Sequence, residues 1–162
     1  MNSLALEALA GKVSERQGGP WALFFAPAMA ETPARPIETF PNPHPGAVYL
    51  VESLTPEFTC VCPKTGQPDF AVLRIRYAPG PRCFELKSLK LYLHGFRDEG
   101  HFHEDVTNRI LADLVAACAP VWMEVRGEFH ARGGIATTVT ARHGTRPAGL
   151  EGVAPASWPG WR

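Results

Sequence analysis

Cys62 and Asp69 stand seven residues apart in the stretch EFTCVCPKTGQPDF, residues 57–70, which is rich in turn formers. A thiol is a good nucleophile even when only a few per cent of it is thiolate. Attack on an electrophilic carbon that is multiply bonded to a heteroatom leaves that heteroatom in need of a proton. Asp69 can supply it if the turn folds back. Turns at the rim of a sheet are where such side chains are presented. Spacing alone gives more weight to a plainer reading, with Cys62 a small buried hydrophobe and Asp69 a turn former.

A second group lies in ELKSLKLY, residues 85–92. On a helix, Lys87, Lys90, His94 and Arg97 fall at i, i+3, i+7 and i+10 and form a basic stripe. Such a stripe suits the phosphates of a dinucleotide, the 2′-phosphate of NADPH among them. No G-x-G-x-x-G fingerprint accompanies it, so a Rossmann site is not indicated. By itself the stripe reads more plainly as a solvated helix face. A third group is GHFHED, residues 100–105. His101 and His103 with His94, joined by Cys60 and Cys62, raise the question of zinc. Neither Cys-x-x-Cys nor His-Glu-x-x-His spacing is present, and no metal is expected. Glu104 reads as an acceptor for the N–H edge of a purine-like ring, because a carboxylate can take two parallel N–H bonds. Its plainer role is that of a helix-start residue.

These groups need a scaffold. Ala47–Leu54 reads as a strand. Phe70–Tyr77 is a clearer one, with Ala71, Leu73, Ile75 and Tyr77 on one face and Arg74 and Arg76 on the other. Leu86, Leu89, Leu93 and Phe96 recur at helical spacing and predict a helix over about 85–96. A second helix follows with Val106, Ile110, Leu111 and Leu114 inward and Pro120 beyond its end. Val121–Phe129 and Ile135–Arg142 read as strands, with Gly133-Gly134 as the hairpin signal between them. The order strand, strand, helix, helix, strand, strand predicts an α+β fold, a four-stranded antiparallel sheet with two helices on one face. Residues 1–37, with Leu4, Leu6 and Leu9 as a possible helix seed, read as an N-terminal arm. Residues 38–144 read as the domain, and residues 145–162 as a mobile tail.

The chain of 162 residues suits one domain. Its 16 basic and 16 acidic residues cancel, which argues against a protein whose main task is gripping a nucleic-acid backbone. The four cysteines do not suggest a disulfide framework, and a reducing cytoplasm fits them. No apolar run approaches the roughly 20 residues of a membrane span. Trp21–Ala30 mimics a secretion signal, but it is short, Pro27 interrupts it, and Glu7 and Glu15 sit where basic residues belong. A cytoplasmic protein with no membrane or direct nucleic-acid partner is expected.

The blocks EFTCVCPKTGQPDF, ELKSLKLY and FRDEGHFHEDVTNRI are similar to the signature blocks of 7-cyano-7-deazaguanine reductases, and the resemblance covers about residues 38–142. It resembles the short, single-domain branch. That resemblance implies a tunnelling fold related to GTP cyclohydrolase I, assembled as stacked rings with active sites between subunits. It implies reduction of a deazapurine nitrile to a primary amine in queuosine biosynthesis, with two NADPH consumed per turnover. By matching motif, Cys62 would form a thioimide and Asp69 would donate the proton. Phe84, Glu85, Leu86, His103 and Glu104 would line the substrate site, and Lys87, Ser88 and Lys90 would hold NADPH. Cys60 and Leu86 each stand where the family often has Ser. Three other readings stay open: an amidine-forming enzyme using the same thioimide with ammonia, a zinc hydrolase of the cyclohydrolase type, and a non-catalytic purine-binding ring protein.

Overall fold

The structure, a computed structural model, describes residues 36–157. The helix expected around Leu4–Leu9 and the apolar segment Trp21–Ala30 lie outside the described residues. Six strands and two helices follow in the order β1 (Thr39–Pro41), β2 (Val51–Val61), β3 (Pro68–Ala78), β4 (Arg82–Phe84), α1 (Leu86–His94), a 3-10 turn (Gly95–Asp98), α2 (His103–Cys118), β5 (Trp122–Arg132) and β6 (Ile135–Gly144). The four long strands form one antiparallel sheet in the order β2-β3-β5-β6. The expected α+β architecture is therefore present. The short β1 and β4 pair separately, in a two-stranded sheet that the sequence reading did not foresee. No helix among the described residues is long and apolar enough to cross a membrane.

Alternation along β3 turns Ala71, Leu73, Ile75 and Tyr77 into the core, as expected. Against them pack Leu89, Tyr92 and Leu93 of α1 and Val106, Ile110 and Leu114 of α2, all in one cluster. Leu86, expected on this inner face, is instead 64 % exposed. Tyr92 joins the buried face instead, and its hydroxyl donates to Asp113 Oδ2 at 2.6 Å, so its polar end is satisfied.

The first long strand begins four residues later than expected and runs on to Val61. Pro56 hid its continuation, since proline cannot donate to a ladder. It is tolerated because β2 is an edge strand with a register shift between Thr55 and Phe58. The opposite face of the sheet carries a row of alternating charge, Glu52, Arg76, Glu124 and Arg142, directly paired across all four strands. Arg76 lies 3.1 Å from Glu52 and Arg142 2.7 Å from Glu124. A one-residue slip would break this row and turn the core residues outward, so it reinforces the register.

The described part of the expected tail, residues 145–157, lies on this charged face. Leu150 is buried with Ala78 and Trp122. Val153 O accepts from Arg76 at 2.6 Å, and Ala156 N donates to Glu52 at 3.1 Å. The segment has no ladder of its own. The charged side chains of the sheet take up its backbone groups, which is what residue composition could not reveal.

Candidate functional site

Cys62 closes β2 at the hairpin to β3. Its N–H donates to Gln67 O at 2.8 Å, and Gly66 N–H donates to Cys62 O at 2.9 Å, so residues 62–66 make one helix-like turn. Gly66 takes φ +70°, a conformation open to glycine at little cost. The thiol then stands where an N-cap side chain stands, two and three residues before donors that point back at it. The Thr65 hydroxyl, the Lys64 and Thr65 backbone N–H groups and the Arg132 guanidinium all stabilise the thiolate. Together they bring Cys62 from its ordinary 9.0 down to about 7, against some burial. Cys60, two residues back, is fully buried. Burial, then the charges of Asp69 and Cys62, push its thiol up to about 12. Of the two cysteines in the motif, only Cys62 is suited to nucleophilic work near neutral pH.

Asp69 is the second residue of β3 and is 3 % exposed. A carboxylate so placed needs partners. Arg132, the last residue of β5, forms an ion pair with Asp69 Oδ1 and also donates to Gln67 Oε1 at 2.6 Å and Thr65 Oγ1 at 3.0 Å. His103 Nε2 lies 3.4 Å from Asp69 Oδ2. Cys62, Asp69, His103, Glu104 and Arg132 line a single open cavity of about 500 Å³, with the exposed Phe102 and Ile135 also in its wall. The structure thus brings together four of the residues expected from sequence. A thiolate beside a buried carboxylate and an imidazole can add to a neutral electrophile and move a proton to its heteroatom.

Arg132 was missed. It lies just before the Gly133-Gly134 turn, and only the pairing of β5 with β3 carries it to the cysteine hairpin. His101 was read beside a metal question. It sits instead between two carboxylates, 2.6 Å from Asp105 and 3.2 Å from Glu99, where it braces the start of α2. His94 lines a different cavity.

The ELKSLKLY block is not part of the cysteine cavity. Leu86, Lys90, His94 and Arg97 line a second cavity of about 290 Å³ between α1 and β2, floored by Phe58, Leu89 and Leu93. Glu85 caps α1, both carboxylate oxygens accepting backbone N–H groups, from Lys87 and Ser88 at 2.7 Å each. These bonds hold its carboxyl below the usual carboxylate range. Two expectations need correction in position. Phe84 is buried, its ring 4.6 Å from that of Tyr77, because β4 turns it into the core. Ser88, 6 % exposed, faces inward, donating to Glu85 O at 2.9 Å and accepting from Glu38 N–H at 3.0 Å. Lys87 and Lys90 are exposed.

The sequence model of one family, described as QueF-like protein, matches residues 68–148. The NADPH-dependent 7-cyano-7-deazaguanine reductase of Anaeromyxobacter dehalogenans (strain 2CP-C) is 66 % identical over 122 residues, 75 % of this chain and 100 % of the relative. The protein of the same name from Thiobacillus denitrificans (strain ATCC 25259 / T1) is 59 % identical over 123 residues, 74 % of this chain and 88 % of the relative. A solved structure described as the archaeosine synthase QueF-Like in the apo form aligns with a TM-score of 0.56 at 23 % identity. It covers 60 % of this chain and 96 % of that one, and at that identity the likeness speaks for the fold alone. With a relative 66 % identical and covered over its whole length, the chain belongs to the family of NADPH-dependent 7-cyano-7-deazaguanine reductases.

Proposed function

We propose that the chain reduces the nitrile of 7-cyano-7-deazaguanine to 7-aminomethyl-7-deazaguanine, the queuosine-pathway reaction, through a covalent adduct on Cys62. The observation that carries this reading is the stabilised Cys62 thiolate beside the buried Asp69. The Cys62 sulfur attacks the nitrile carbon. The proton of the thiol passes through Asp69 to the nitrile nitrogen, so a C–S and an N–H bond form while one C–N π bond is lost. The product is a neutral thioimide. Its carbon accepts hydride more readily than a nitrile carbon does, and the adduct keeps the substrate in place. Two NADPH molecules, bound in turn, would each supply one hydride, with one proton taken up alongside each. Between them the sulfur leaves and Cys62 is regenerated. No step needs a Lewis acid, and no metal is proposed.

Glu104 is proposed to accept N–H groups of the deazaguanine edge, with His103 beside it. Lys87 and Lys90 are proposed to hold the cofactor phosphates, with Ser88 fixing the helix that carries them. Cationic side chains beside the apolar floor of the α1–β2 cleft fit a dinucleotide chemically. Phe84, Glu85 and Leu86 line no part of the Cys62 cavity in one chain. We therefore propose that Glu85 and Leu86 act across a subunit boundary, in a ring of copies, with Phe84 packed in the core beneath them. The exposed Phe102 and Ile135 on the cavity rim and the edge strands β2 and β6 support such an assembly. Residues 38–144 are proposed as the reductase domain and residues 1–37 as an accessory arm of a cytoplasmic protein.

Intact-mass measurement after mixing with the nitrile, without NADPH, tests this. A gain of the full nitrile mass at Cys62, lost again when NADPH is added, is expected. No adduct, or an adduct elsewhere, would overturn it.

A further inference from the structure

We propose that Arg132 is a positioning residue for the nitrile addition, holding the Asp69 carboxylate and the cysteine hairpin in the one arrangement that lets the thiol proton reach the nitrile nitrogen. The inference rests on the reading of Cys62 as nucleophile and Asp69 as proton carrier.

One guanidinium joins three separate parts of the site. Its Nη1 pairs with Asp69 Oδ1 on β3. Its Nη2 donates to Thr65 Oγ1 at 3.0 Å and to Gln67 Oε1 at 2.6 Å, both in the turn that presents Cys62. The same group reaches the thiolate, as does Thr65. The β5–β6 register shifts between Phe129 and Arg132, the kind of irregularity that re-aims a side chain at a strand end. The planar fork of arginine can hold several acceptors at fixed angles.

The chemistry gives this arrangement a use. During addition one proton leaves sulfur, rests on Asp69 and ends on nitrogen. Arg132 stays charged throughout, because a guanidinium is not deprotonated in proteins. With Oδ1 held by Arg132, it is Oδ2, facing His103 Nε2 at 3.4 Å, that carries the proton. Other charged and titratable groups around the thiol are Cys60 on β2, Lys64 in the turn, and His101, His103 and Glu104 at the start of α2. The Arg132 side chain is 34 % exposed at the end of the sheet, so the core does not depend on it.

The test compares the natural chain with R132A and R132K. Thioimide formation is followed by intact mass without NADPH, and alkylation of Cys62 by iodoacetamide is followed against pH. R132A is expected to form the adduct at least about ten-fold more slowly, the loss of a charge-assisted pair. Its alkylation midpoint should move to higher pH, and added guanidinium should restore part of the rate. R132K should recover the midpoint more than the adduct rate, since lysine supplies the charge without the fork. Adduct formation by folded R132A at the natural rate and with an unmoved midpoint would overturn the inference. If R132A does not fold, R132K decides, and an undiminished adduct rate there is the overturning result. A natural chain that forms no adduct overturns the nucleophile reading, and this inference with it.

Discussion

The His103 imidazole lies flat on the Phe129 ring, with 3.8 Å between centroids and 7° between planes. That stacking fixes the imidazole from β5 while α2 carries its backbone, and holds Nε2 3.4 Å from Asp69 Oδ2. Phe129 in turn depends on Gly127. A Cβ there would come within 2.8 Å of the Phe129 ring and 3.2 Å of Thr107 Oγ1 on α2. Gly127→Ala should therefore lower stability by about 1–3 kcal/mol, the usual cost of overpacking, and slow adduct formation by displacing His103. Thermal unfolding and intact-mass kinetics check both. An unchanged melting temperature would show that the helix and sheet absorb the methyl group.

The two motif cysteines should separate cleanly. Cys62→Ala should abolish both adduct and turnover, while Cys60→Ser should retain both, because a buried thiol held near 12 contributes no thiolate. Peptide mapping of the adduct decides, and label on Cys60 would contradict the assignment.

The pH dependence has a definite sign. Deprotonation of Cys62 is favoured in the folded chain, so its thiolate fraction rises through about pH 7 rather than about 9. Alkylation by iodoacetamide should climb between about pH 6 and 8 and then level off. A rate still rising steeply at pH 9 would show that the hairpin donors do not act on the sulfur.

Glu104 is tested with the nitrile titrated calorimetrically into a Cys62→Ala background, where no covalent step masks affinity. Glu104→Gln turns one acceptor oxygen into a donor facing a donor. Mispairing of this kind costs about 1–3 kcal/mol, so binding should weaken at least about ten-fold, with NADPH affinity nearly unchanged. Equal nitrile binding would leave Glu104 as a helix-start residue only.

Lys87→Ala and Lys90→Ala should each raise the KM for NADPH by about ten-fold, as loss of a charge-assisted bond to phosphate implies, and change that for the nitrile far less. Ser88→Ala should act differently, lowering thermal stability because its hydroxyl ties Glu38 to the start of α1. Unaltered NADPH kinetics in both lysine variants would move the cofactor site elsewhere.

Alternation in β3, helical spacing in Leu89 and Leu93, and the glycine pair at residues 133–134 were legible because each depends on local periodicity alone. The sequence by itself therefore determined the order of the long elements and the fold class, and set Cys62 and Asp69 close enough for one hairpin, while their spacing alone favoured plainer roles for both. It could not show that Pro56 lies in an edge strand, since edge and centre differ only in what pairs beside them. Nor could it place Arg132 beside Asp69, 63 positions away. That meeting exists only because β5 crosses back to pair with β3. Tertiary structure likewise decided that Ser88 and Phe84 turn inward while Leu86 turns out. Which side of a short helix or strand is buried depends on the neighbouring elements, and no residue's own chemistry contains that information.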